Sequence, residues 1–152
     1  QRLDSFNSQF PITVKEVLNC HKKTLKDKNI DIDSILKQVN MEDFKDRLLG
    51  MLSGGQQQRI LISRALMGNP DIIILDEPSS GVDEVNQKEI YRILKSLNRE
   101  KNKTIISIEH NIDVALANST HILKVNKGSM NLYTVEEYKT LRNQTENLDN
   151  AM

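Results

Sequence analysis

At 152 residues, of which 38% are hydrophobic and 4% aromatic, the chain is long enough for one ordinary domain, or a large piece of one, around a modest core. Lys plus Arg and Asp plus Glu both number 21, so no global field draws it to nucleic acid or anionic lipid, and a nucleic-acid binder is not favoured. A single cysteine, Cys20, excludes an intrachain disulfide framework and a CxxC zinc site, and no stretch approaches the ~18 to 20 consecutive apolar residues of a membrane-spanning helix.

The chain opens on Gln1 rather than Met and lacks the basic, apolar, small-residue succession of a signal peptide. The expectation is that the true start has been cut away or that this is a piece of a longer protein. Residues 1–10 read as a polar, irregular loop that Pro11 closes. Thr13 then caps a helix with Val14, Val17 and Leu18 on one face and Glu16 in its first turn. Residues 22–29 read as a solvated linker. Asp31 or Asp33 caps a second helix carrying Ile32, Ile35, Leu36 and Val39, and residues 41–49 read as a third, ending at Gly50.

A helix over 54–67 should stop at Gly68-Asn69-Pro70, and its apolar residues on most sides predict that it is mostly buried. Residues 71–76 and 103–109 read as buried parallel strands, joined by a helix with the stripe Ile90, Ile93, Leu94 and Leu97. Such a unit implies a right-handed crossover. A short helix over 111–118, a strand over 120–125, a turn at Asn126-Lys127-Gly128 and a strand near 130–133 complete the pattern, and the polar tail from Asn143 is expected to fray.

Two constellations carry chemistry. Asp76 and Glu77 end a hydrophobic strand, at the edge of an open α/β sheet where ligands bind. Strand alternation would point them differently, so one can serve the water shell of Mg²⁺ while the other faces an attacking water. Ser53, Gly54 and Gly55 open a helix, whose unpaired N–H groups and dipole favour an anion. The dipole supplies only about 0.3 to 1 kcal/mol, so this is a contributing clamp. A bare Ser-Gly-Gly turn is more often just a cap, and its specificity here comes from the whole string Leu52-Ser53-Gly54-Gly55-Gln56 with Gln57, Gln58 and Arg59 behind it. Arg59 and Arg64 read as surface or ion-pairing residues rather than a nucleic-acid patch.

In order and spacing, residues 52–56, 72–78, 79–83 and Glu109-His110-Asn111 resemble the nucleotide-binding domain of ATP-binding cassette (ABC) transporters, from Gln1 to about Lys127. The resemblance implies an α/β, P-loop NTPase-like parallel sheet with helices, plus a small helical subdomain. It divides the chain into 1–50 (glutamine loop and helical subdomain), 51–128 (signature helix and catalytic-lobe strands) and 129–152 (C-terminal strand, helix and tail). It further implies that Ser53 and Gly55, with Gly54 and Gln56 beside them, meet the γ-phosphate of ATP held by a second subunit. Asp76 would serve Mg²⁺ through water and Glu77 would be the general base. Asp83 would belong to the loop at the dimer interface, His110 would read the γ-phosphate, and Gln1 would approach Mg²⁺ and the transmembrane partner.

Residues 10–17 resemble the subgroup serving importers of zinc, manganese or chelated iron. The expected protein is then an ATPase that dimerises, engages a permease and binds no nucleic acid. It would sit in the cytoplasm at the inner face of the cell membrane, touching the bilayer only through the permease. A soluble cassette ATPase acting on the ribosome and a non-catalytic interaction module are the competing readings. Glu109 departs from the family, which more often has a small hydroxyl or apolar residue there, and is read as neutral for function; His21 and His121 are read as structural.

The phosphate-binding loop that such a site needs, ending in Gly-Lys-Ser/Thr, does not occur in these 152 residues. The family places its strand between those expected at 103–109 and 120–125, so the sheet is expected to have a gap. Titration calorimetry of the purified chain with Mg-ATP is expected to show very weak binding and no measurable turnover. Saturable tight binding would refute this.

Overall fold

The computed structural model describes residues 11–149, so Gln1, Phe10 and the expected loop over 1–10 lie outside the described residues. Two compact units are present, residues 1–108 and residues 109–152.

The first unit begins with α1 (Val14–Leu25). Thr13 and Glu16 form a reciprocal capping box: the Glu16 N–H donates to Thr13 Oγ1 at 3.3 Å, and the Thr13 N–H to Glu16 Oε2 at 2.8 Å. These bonds hold the Glu16 carboxyl below its usual range. The helix continues through residues expected to form a linker, to a left-handed cap at Lys26 with φ 55°. Lys22 and Lys23 favour the negative end of the helix dipole, and the Lys22 ammonium donates to the Ile30 carbonyl at 2.6 Å.

Asp31, not Asp33, caps α2 (Ile32–Gln38), accepting from the N–H groups of Asp33 and Ser34. Asp33 instead pairs with Lys45, whose ammonium pKa is raised by that bond. The third helix expected over 41–49 is replaced by two 3-10 turns, Glu42–Phe44 and Leu49–Met51. The reason lies at long range, because the carbonyls of Lys45 and Arg47 accept from Lys15 and Val14 at 2.9 and 3.0 Å, and the Leu49 N–H donates to Ile12 at 2.9 Å. Those groups cannot also close helical turns.

The α3 helix (Gly54–Leu66) packs against α2 and against α4 (Glu84–Lys101). Only part of α3 is buried, chiefly Gly55, Arg59, Ile60, Ile62, Ser63 and Leu66. The predicted stripe of α4, Ile90, Ile93, Leu94 and Leu97, is buried, and joins Leu18, Leu36, Met41, Leu49 and Ile60 in one core. Arg59 is buried as well, which removes the surface half of the surface or ion-pairing expectation, and it donates to the Asn40 carbonyl at 3.3 Å. Burial presses its guanidinium pKa down while Glu89 opposes the shift.

Strands β1 (Ile72–Asp76) and β2 (Thr104–Ile108) pair in parallel, with Ile74 opposite Ile106 and Asp76 opposite Ile108. They were expected to be buried, but only Ile73 is: Ile72, Ile74, Ile106 and Ile108 are 56%, 69%, 45% and 51% exposed. All four lie on one face by the register, while α4 packs against β2.

In the second unit, α5 (Ile112–Asn118) is capped by Asn111, and β3 (His121–Asn126) forms an antiparallel hairpin with β4 (Ser129–Thr134). Gly128 turns the hairpin at φ 80°, a conformation that favours glycine. The hairpin is separate from the β1–β2 pair. Leu123, Val125, Met130 and Leu132 are exposed on one of its faces. The last helix, α6 (Val135–Asp149), opens with a Thr134/Glu137 capping box and packs on β3 and β4. It extends to Asp149, past Asn143 where fraying was expected, and residues 143–149 hold no Gly or Pro to break it. No described helix is long and apolar enough to cross a membrane.

Full burial of one isoleucine side chain is worth about 1.5 to 3 kcal/mol, so the bare β1–β2 face favours association. Sedimentation of the isolated chain at micromolar concentration is expected to show oligomers, reduced by Ile74→Lys with Ile106→Lys. A monomer with cooperative unfolding would contradict this.

Candidate functional site

The loop after β1 turns sharply at Glu77, a non-glycine residue in the left-handed region at φ 46°. Such a conformation costs on the order of 1 to 3 kcal/mol and persists where the surroundings enforce it. Here the Glu77 N–H donates to the Ile108 carbonyl at 3.0 Å, carrying the ladder one residue past β1, and its carbonyl accepts from Ser80 at 3.1 Å. Pro78 is fully buried behind it. Asp76 is exposed at the end of β1 and Glu77 is half-buried, so a backbone turn, rather than the expected strand alternation alone, sets the two carboxylates apart.

The loop is then pinned from within. Ser79 is buried, its hydroxyl 3.1 Å from the hydroxyl of buried Tyr91 and accepting from Gln87 Nε2 at 2.9 Å. The Val82 N–H donates to the Ser79 carbonyl at 3.2 Å, and Gly81 follows with φ 71°. Asp83 caps α4, its Oδ1 accepting the Asn86 N–H at 3.1 Å and its Oδ2 the Asn86 side-chain amide at 2.7 Å. These bonds, the side-chain one foremost, hold the Asp83 carboxyl below its usual range.

The turn over Ser53, Gly54 and Gly55 sits against this loop. Ser53 and Gln56 close a capping box, with the Gln56 N–H donating to Ser53 Oγ at 3.3 Å and the Ser53 N–H to Gln56 Oε1 at 2.9 Å. The N–H groups of Gly54 and Gly55, in the first turn of a 13-residue helix, lie outside that helix's own ladder. A Cβ on Gly54 would lie 3.9 Å from the Gly81 carbonyl oxygen, an ordinary contact. One on Gly55 would lie 2.5 Å from Asn86 Cβ and 2.7 Å from its Cγ, closer than side chains approach. Only glycine fits there without movement.

Ser53, Gly54, Gly55, Gln56, Asp76, Glu77 and Asp83 therefore share the first unit, whereas His110 is an exposed residue of the second and Gln1 lies outside the described residues. Among the described residues no group of three or more His, Cys, Asp or Glu side chains could hold a metal ion. Asp76 fits a cation that keeps most of its own waters, and the α3 turn fits an anion. Sequence reasoning missed Ser79, Asn86, Gln87 and Tyr91 as supports of the loop. Only Asn86 had a local signal, three residues after a capping Asp.

Comparison with known proteins shows the family and the fold. The sequence matches the family described as ABC transporter over residues 3–80, and the chain belongs to that family. The zinc uptake system ATP-binding protein ZurA of Listeria monocytogenes is 44% identical over 136 residues, covering 84% of this chain and 52% of that protein. An ATP-binding cassette of an ABC transporter, MJ1267 in its ADP conformation, is 30% identical with TM-score 0.71, covering 85% of this chain and 58% of that one. The dimeric cassette MJ0796, in a post-hydrolysis state bound to ADP and Pi, is 29% identical with TM-score 0.64, covering 83% and 58%. The fold is thus the α/β fold of ABC ATPase domains, and the chain spans about half the length of the curated relatives it matches.

A polar cluster ties Asn40, two residues past the end of α2, to α3 and α4. Glu89 accepts two bonds from Arg92, at 2.8 and 2.9 Å, and one from Asn40 Nδ2 at 2.6 Å, while the Asn40 carbonyl receives Arg59. Arg92 first of all lowers the Glu89 carboxyl from 4.5 to about 2. A depressed carboxylate stabilises the fold fully above pH 4.5, and that contribution fades as pH falls towards about 2. Thermal midpoints of the chain and of Glu89→Gln, followed by circular dichroism, are expected to converge across that window. Parallel curves would remove Glu89 from the account.

Proposed function

We propose that this chain is part of an ATP-hydrolysing subunit that energises import of a metal ion, zinc or a related one, through a membrane permease. ATP-binding subunits of ABC transporters are ATPases generally, and the zinc uptake protein above supports the cargo. The observation that carries the reading is the seating of the Ser53-Gly54-Gly55 turn on the loop that follows Asp76 and Glu77. An anion-binding helix start and a strand-end carboxylate pair are thereby held in one unit.

In this reading residues 1–50 comprise the glutamine loop and helical subdomain, 51–128 the signature helix and catalytic strands, and 129–152 the C-terminal appendage. Ser53 and Gly55, flanked by Gly54 and Gln56, face the γ-phosphate of a nucleotide held by a second copy of the subunit. Asp76 and Gln1 serve Mg²⁺, Asp76 through water; bound there, the ion neutralises charge on the phosphate oxygens. Glu77 takes the proton of the attacking water, a role that the enforced turn at its backbone suits by fixing the direction in which its side chain leaves the chain. His110 contacts the γ-phosphate from the second unit, and Asp83 stands in the loop at the subunit interface. The subunit works in the cytoplasm at the inner face of the membrane, reaching the bilayer only through the permease and binding no nucleic acid.

The reading requires a Gly-rich loop ending in Gly-Lys-Ser/Thr, which these 152 residues do not contain. In the protein expressed from its full reading frame and assembled with its permease, Glu77→Gln is expected to lower phosphate release about 10² to 10⁴-fold while ATP binding persists. Loss of binding instead would make Glu77 a metal ligand, and unchanged turnover would remove it from catalysis.

A further inference from the structure

We propose, on the reading of Ser53 and Gly55 as the phosphate-facing turn, that Asn86 is a positioning residue which sets where that turn lies and ties it to the loop following Glu77.

Asn86 occupies the third position of α4, and both oxygens of Asp83 hold it, one through its backbone N–H and one through its side-chain amide. With both Asp83 oxygens bonded to it, the carboxamide has one preferred orientation. The face it presents lies flat against Gly55, since a Cβ built there falls 2.5 Å from Asn86 Cβ, 2.7 Å from Cγ and 3.0 Å from Oδ1. These are the near atoms of the side chain, which cannot swing away as the far end of a lysine could. Buried Gly55 therefore rests on Asn86, and it carries one of the N–H groups available to an anion.

The support continues towards the carboxylates. A Cβ on Gly54 would come within 3.9 Å of the Gly81 carbonyl oxygen, Val82 is bonded back to Ser79, and Ser79 is held by Gln87 and Tyr91 of the same helix that carries Asn86. Helix α4 thus holds the loop with one set of side chains and the anion turn with another. Moving Asn86 would displace the turn while leaving Ser53, Gly55, Asp76 and Glu77 chemically intact. A displacement of that kind acts on alignment, which catalysis feels more strongly than ground-state binding.

Variants at Asn86 and Gly55 of the full reading frame, assembled with its permease, separate positioning from bulk packing. Asn86→Asp keeps the volume but sets a second carboxylate against Asp83. It is expected to lower kcat about tenfold to a hundredfold with KM for ATP changed less than about threefold. Asn86→Ser retains a donor for Asp83 and is expected to recover most of that loss. Gly55→Ala is expected to lower kcat about tenfold alone, and at least about fivefold less when Asn86→Gly removes the clash, a non-additivity that direct contact demands.

Wild-type kcat in Asn86→Asp, or a Gly55→Ala loss unchanged by Asn86→Gly, would overturn the proposal. If Asn86→Asp fails to fold, the kcat coupling between Gly55→Ala and Asn86→Gly still decides the matter. If the unsubstituted assembly hydrolyses no ATP, the functional reading fails instead. The thermal non-additivity of the pair then tests the contact alone.

Discussion

The first turn of α3 meets the first turn of α4 through Gly55 and the side chain of Asn86. A Cβ on Gly55 would lie 2.5 Å from Asn86 Cβ, so the contact leaves less than a methyl group's room. Much of the candidate site follows from that approach. It seats the start of α3 on Asn86, which the α4 cap Asp83 holds by two bonds, and it brings an anion-favouring helix terminus to the loop that leaves the strand-end carboxylates.

The loop itself is a compromise between strain and support. Glu77 adopts a left-handed conformation that its side chain disfavours, and the Ile108 carbonyl, buried Pro78 and the bonded Ser79 hold it there. Arg59, Asn40, Glu89 and Arg92 tie the chain just past α2 to α3 and α4 through charge and carboxamide bonds, and the apolar core lies alongside. The other side of the sheet is unlike this. Its isoleucine face is open, which fits the absence from these residues of the phosphate loop and its strand that the proposed function requires.

Local signals made much of this legible. Thr13 with Glu16 and Ser53 with Gln56 are capping pairs three residues apart, and the structure forms both boxes. The α4 stripe was readable because its periodicity reflects burial on one face, and the two parallel strands were readable as short apolar runs, though not their exposure. What could not be read was decided by distant partners. Residues 41–49 forgo a helix because their backbone groups are bonded to residues 12–15, and Arg59 is buried because the Asn40 carbonyl waits for it. The extension of α1 past Lys22 was legible in principle from the absence of a breaker.

The sequence by itself determined the family and the chemistry available. A capped glycine turn and a carboxylate pair at a strand end are contiguous strings whose function depends on local geometry. Only the tertiary structure decided how those strings are held. Asn86 has no motif of its own, and its place is set by two helices that pack through a glycine, a contact between residues 31 positions apart. Periodicity reports which face of an element is buried. It does not report which residue of another element fills the space left by a missing side chain, because that depends on how the whole core closes.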